Sequence, residues 1–338
     1  MAQLVTTNFK LHNAKQFFEA FDEAAKDFIY FFISRAAPWP GGTPSIPTET
    51  VKNIEYKSWL GMIAAKRVNA SDVSHVIKRY NWTTGTVYKE YDDTSTTLKT
   101  DTFFVMTEDY NVYKCLYNNY GTSSTVKPTG TSTSNLVTSD GYIWKYMYTV
   151  SSADALKFLT TNYIPVKNIT SDDSSAQFQV QQAAANGSIQ VIDVTDKGAG
   201  YLYISNNFVS VTNTTVMELG EESSGSDDTY NNSTIYIVSG PGAGEIRDIT
   251  DYTAASNTIV VNTAFSILPT TSSVYHIGPK IRIVGDGTGA LAYANVHLDN
   301  SGATGNGSIQ RVEMISVGSD YSQVNVAISD SASSINDL

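Results

Sequence analysis

Chemistry in this chain would have to come from a glycine-rich loop, from its single cysteine and four histidines, or from paired acids. Gly240-Pro241-Gly242-Ala243-Gly244 resembles a phosphate cradle in composition. A phosphate loop needs Gly-Lys-Ser/Thr opening a helix, and a dinucleotide loop needs a strand-turn-helix unit. No Gly-Lys dipeptide occurs, and the following run, Glu245 to Thr250, reads as a strand. Gly285-Asp286-Gly287-Thr288-Gly289 reads as a tight turn with too few oxygen ligands for calcium. Cys115 has no second cysteine to bridge to, and His12, His75, His276 and His297 show no zinc-site spacing. No Gly-x-Ser-x-Gly elbow offers a nucleophile. Asp92/Asp93, Glu221/Glu222 and Asp227/Asp228 lie in polar runs, without the desolvation that lets one carboxylate act as an acid at neutral pH. The expectation is therefore no catalytic residue, no cofactor and no metal, hence no enzyme and no small-molecule substrate.

Charge narrows the partners. The net charge of -11 opposes a phosphate backbone, so nucleic acid is not expected as a ligand. Residues 51–89 carry seven Lys/Arg against Glu55 and Asp72, whereas residues 201–338 carry fourteen acids against four bases. Such asymmetry suits complementary contacts between protein subunits. No run approaches the ~20 apolar residues that span a bilayer, and no signal pattern is present, so neither membrane insertion nor export is expected.

The elements that must position any contact residue read as mostly β. Asn13 is placed to cap a helix carrying Phe17, Phe18, Phe21, Ala24 and Ala25, which should lie on a sheet. Phe28 to Ser34 reads as a buried strand, and a short helix fits Tyr56 to Lys66. Asn111 to Asn119 and Gly141 to Val150 alternate with period two. Tyr113, Cys115 and Tyr117 share one face of the first run, and Trp144, Tyr146 and Tyr148 one face of the second. Such aromatic strips serve as sheet packing or subunit contact; the rival use is stacking on sugar rings.

Composition changes near residue 170, giving domains at 1–170 and 171–338. Within the second, Asn186 to Tyr201 and Asn306 to Tyr321 align without a gap and share seven of sixteen residues. The copies extend over about 178–211 and 290–328, with an inserted β-module at about 230–279. Each copy reads as an Asn-Gly turn, an alternating strand, a Gly-centred bend closed by tyrosine, and a further strand. The Ser-rich acidic stretch from Glu218 to Thr229 reads as a mobile loop. The fold class expected is mainly β: a multi-domain, β-sandwich-like architecture with one N-terminal helix and small β-repeat modules in the C-terminal half.

Six segments, VTTNFKLHNAKQFF, YFFISRAAPWP, SWLGMIAAKRV, VIKRYNW, VYKCLYN and DGYIWKYMYTV, follow one another over roughly residues 5–150. In that order they resemble the baseplate wedge subunit, the gene product eight family, of T-even-like contractile-tailed phages. The resemblance implies a β-rich structural protein of the virion tail baseplate, assembled in the host cytoplasm, that dimerises and joins other wedge proteins. It carries no catalytic residues over. Interfaces favour Trp, Tyr and Arg anchors, which nominates Trp39, Trp59, Arg67, Arg79, Trp82 and Trp144 as candidate contact residues. The alternative function is a host-glycan binding or depolymerising tail protein.

Overall fold

A computed structural model describes residues 6–22, 29–34, 55–56, 59–93, 95–167, 169–220, 223–297, 307–330 and 333–337. In chain order its elements are α1 (Thr7–Asp22), β1 (Tyr30–Ser34), β2 (Met62–Arg67), β3 (His75–Lys78), β4 (Phe104–Met106), β5 (Asn111–Tyr117), β6 (Leu136–Val137) and β7 (Ile143–Thr149). There follow α2 (Ser152–Phe158), β8 (Tyr163–Val166), α3 (Ala176–Gln182), β9 (Ile204–Asn207), β10 (Ser210–Val211), β11 (Val216–Glu218), β12 (Thr234–Ser239), β13 (Ile246–Thr253) and β14 (Thr258–Val261). The last are β15 (Val274–Gly278), β16 (Lys280–Gly285), β17 (Thr288–His297), β18 (Ser308–Ser319), β19 (Val324–Asp330) and β20 (Ser333–Asp337). Strand outweighs helix, 38% against 14%, so the fold is mainly β with an N-terminal helix. One compact unit comprises Met1–Trp82, Val105–Val112 and Tyr148–Asp173; the other comprises Thr83–Phe104, Tyr113–Met147 and Ser174–Leu338.

In the first unit α1 begins well before Asn13, because Thr6 caps it: the Thr6 hydroxyl accepts the Phe9 N–H at 3.2 Å. Asn13 lies inside the helix. The helix meets a sheet with only part of its apolar face: Phe18 stacks on His75 of β3 at 5.1 Å, whereas Phe9, Leu11 and Phe17 are exposed. Strand β1 forms as expected but is exposed along its length, pairing antiparallel with β2 from Tyr30↔Arg67 to Ser34↔Met62. Of the helix expected over Tyr56 to Lys66, the described residues Tyr56, Trp59 and Leu60 are helical, but Met62–Arg67 is strand β2, the run that satisfies the backbone of β1. Strands β3 and β8 form a second antiparallel pair.

The second unit holds most of the aromatic strip. Its Tyr113, Cys115, Tyr117, Trp144 and Tyr146 are all buried, as sheet packing requires, and so is Tyr148 of the first unit. Trp144 lies against Tyr142 at 5.4 Å, nearly parallel, and edge-on to Tyr88 at 5.5 Å. Tyrosine hydroxyls bond backbone carbonyls, Tyr113 to Gly130 at 2.8 Å and Tyr142 to Thr122 at 2.5 Å. The Ser/Thr-rich connection is tied down by Asp140, whose carboxylate accepts the N–H groups of Thr125 and Val126 at 2.8 and 2.9 Å.

Strands β9 to β15 make one small barrel-like sheet. Their order is β10-β11-β14-β13-β12-β15-β9, with each neighbouring pair antiparallel. Only Phe208 and Val209 separate β9 from β10, so one bent stretch pairs with β15 in its first half and with β11 in its second. That stretch supplies both ends of the strand order, so the sheet curls around one core. Side chains fill the interior, among them Met217, Leu219, Ile235, Ile237, Tyr252 and Tyr275. The barrel exceeds the inserted module expected at 230–279, because β9, β10 and β11 complete its wall. The Gly240–Gly244 run is the β12–β13 turn, with Gly240, Gly242 and Gly244 at φ 83, 82 and 89°. The stretch expected as a mobile loop is pinned over Ser224–Thr229: Ser224 N donates to the Tyr230 hydroxyl at 2.8 Å, and Ala254 N to Asp227 at 2.7 Å.

The two repeat copies pair with each other. Ile192 and Val312, each the seventh residue of its copy, face one another in an antiparallel bridge. Ile189 N donates to Val317 O at 2.8 Å and Ile309 N to Lys197 O at 2.9 Å. Tyr201 N donates to Gly307 O at 3.0 Å and Tyr321 N to Gly187 O at 3.1 Å. Exchanging the copies maps each bond onto its mate, so the chain carries a local pseudo-twofold axis. Gly187 and Gly307 are required because a Cβ on either would run into the backbone of Tyr321 or Tyr201. Only the second copy forms the alternating strand expected of both: β17 pairs along β18, whereas the first copy has the Ile192 bridge alone.

Candidate interaction surface

The six nominated residues fall into different environments. Trp39 lies outside the described residues. Trp59 is 73% exposed, next to Leu60, which is also exposed. Arg67 ends β2 opposite Tyr30, with its side chain at the surface. Arg79 is half-buried and structural, its guanidinium donating to Asn81 Oδ1 and to Thr160 O, both at 2.9 Å. Trp82 is half-buried, and its N–H donates to Met106 O at 2.9 Å. Trp144 corrects the expectation outright: it is fully buried in the aromatic layer and presents nothing to a neighbour.

Sequence reasoning missed the surface that stands out most. On β1 and β2, Tyr30, Phe31, Ile33 and Ile63 are exposed, Phe31 at 67% and Ile63 at 69%. A run of aromatic and β-branched residues reads as interior by composition. Here the ribbon has two strands, and no third strand pairs with it among the described residues. The physical clue available beforehand was the doublet Lys66-Arg67 at the end of β2, which a buried partner strand would not tolerate unpaired. Lys66 meets Asp72 at 2.6 Å.

Several charged groups of the second unit pair with one another. A cleft of about 310 Å³ beside the barrel includes Arg247, Asp248, Asn262 and Lys280 in its wall. Lys280 pairs with Asp248 at 2.7 Å, and Arg247 with Glu245 at 2.5 Å and with Ala264 O at 2.9 Å. Glu313 accepts from Tyr293 at 2.7 Å, from Asn295 at 3.0 Å and from Arg311 at 2.6 Å. Burial pushes that carboxyl up, but these donors hold it below the usual range. Burial raises the Cys115 thiol, which favours the inert protonated form. Among the described residues no three His, Cys, Asp or Glu side chains are grouped to hold a metal, and no helix is long and apolar enough to cross a membrane. Comparison with protein-family models and with curated proteins found no match.

Proposed function

We propose that this chain is a structural subunit of a contractile-tail baseplate wedge, working by contact with itself and with other wedge proteins in the virion. The carrying observation is the β1–β2 ribbon with Trp59 and Leu60, an exposed apolar surface that contrasts with the buried aromatic strands β5 and β7. Exposed apolar surface of this density marks protein contact sites. Binding of this kind needs area and a few aromatic anchors, about 800 Å² per partner, with no catalytic cleft. Burial of Tyr113, Trp144 and Tyr146 also removes the aromatic strip on which a glycan reader would stack sugars.

The test is assembly by Trp59→Ala and Ile63→Asp variants. Since Trp59 is largely exposed, its truncation should leave the melting temperature within about 2 °C of the parent. Self-association and co-purification with wedge subunits should weaken by roughly 30-fold or more, the loss of a ~2 kcal/mol anchor. Unchanged assembly in both variants, or a monomer that binds no wedge subunit, overturns the reading.

A further inference from the structure

His276 lies in β15 where the barrel meets the β17–β18 hairpin. Tyr236 is its cross-strand partner on β12 and Ser205 its partner on β9. Tyr203 stands edge-on to the imidazole at 5.1 Å, and Tyr293 of β17 at 6.5 Å. Tyr293 in turn stacks on Tyr236 at 4.3 Å, so the ring cluster is the seam between the two elements. The Nδ1 atom of His276 is buried and has no hydrogen-bond partner among the described residues. The titratable groups facing it are Tyr203, Tyr236 and Tyr293, with Glu313 and Arg311 of β18 behind Tyr293.

We propose that His276 makes the seam between the barrel and the β17–β18 hairpin acid-sensitive, closed with a neutral imidazole and loosened when the ring takes a proton. With its proton on Nε2, the neutral ring leaves only a lone pair at Nδ1. Protonation places a charged N–H donor there, and Glu313, the acid behind Tyr293, is already engaged at both oxygens. Glu313 Oε2 holds the Tyr293 hydroxyl at 2.7 Å, and Oε1 holds Asn295 at 3.0 Å and the Arg311 guanidinium at 2.6 and 2.8 Å. A buried charged donor without an acceptor is strongly disfavoured. Burial accordingly lowers the His276 pKa from its ordinary 6.5, although the Glu313 charge pulls the other way. The unfolded chain therefore binds the proton first, and stability falls as pH drops below 6.5.

The experiment uses the full chain. Urea unfolding from pH 7.5 to 5 compares the parent with His276→Phe, which keeps a ring in the seam and cannot titrate. The folding equilibrium constant of the parent should fall towards about tenfold per pH unit relative to the variant, with amide protection in β15 and β17 lost first. Parallel pH profiles overturn the proposal. Should His276→Phe fail to fold, histidine NMR on the parent decides. There His276 is assigned by elimination with His12→Gln, His75→Gln and His297→Gln. Titration below 6.5 supports the seam, and titration at or above 6.5 overturns it.

Discussion

Single side chains show how polar groups were reconciled with an aromatic interior. Trp144 is fully buried, and its Nε1–H has no acceptor among the described residues. An orphaned donor costs about 1–3 kcal/mol, which offsets much of what a smaller ring would lose in packing. Trp144→Phe should thus change unfolding free energy in urea by no more than about 1 kcal/mol, whereas Trp144→Ala should cost about 3–5 kcal/mol. Asp286 works in the opposite sense. Its carboxylate accepts the Ser322 hydroxyl and the N–H groups of Ser322 and Gln323, the latter two at 2.9 Å. These bonds, the Ser322 hydroxyl foremost, hold its pKa well below the ordinary 3.8. A depressed carboxylate stabilises the fold above 3.8, and that contribution is lost as pH falls below it. Acid unfolding of Asp286→Asn should accordingly show a shallower decline below pH 4 than the parent; identical acid limbs would assign the turn's stability elsewhere.

Among the elements, the paired repeats carry the sharpest expectation. Gly187 and Gly307 occupy equivalent places, each packed on the backbone of the other copy's closing tyrosine. Alanine at either position forces that backbone to move, an overpacking cost of about 1–3 kcal/mol. Both substitutions should therefore destabilise, measured by thermal or urea unfolding, and at Gly187 the backbone φ of 62° adds strain of its own to the packing cost. Gly225, whose Cβ would meet nothing within 4 Å, supplies the neutral control. The barrel gives the same lesson: β9 and β10 are too short to be stable alone, and pairing with both β15 and β11 is what holds them.

For the whole molecule, the alternating aromatic and β-branched runs made the mainly β fold legible, because a period of two is a local property that packing then confirms in β5 and β7. The Gly240–Gly244 turn was equally legible, since glycine at positive φ between two strand patterns needs no distant partner. Helix α1 was found but misplaced, Thr6 having captured the cap expected at Asn13. Burial was not legible. Trp144 and Trp59 are the same residue type in similar apolar surroundings along the chain, yet one is sealed and the other lies 73% in solvent. Sequence alone determined that the aromatic runs of β5 and β7 become strands, that Gly240–Gly244 becomes a turn, and that two copies of one repeat exist, because those depend on near neighbours. Which strands found partners, that the repeats pair with each other about a pseudo-twofold axis, and which apolar face was left open were decided only by tertiary structure. Those outcomes depend on contacts between residues far apart in the chain, whose geometry no local pattern encodes.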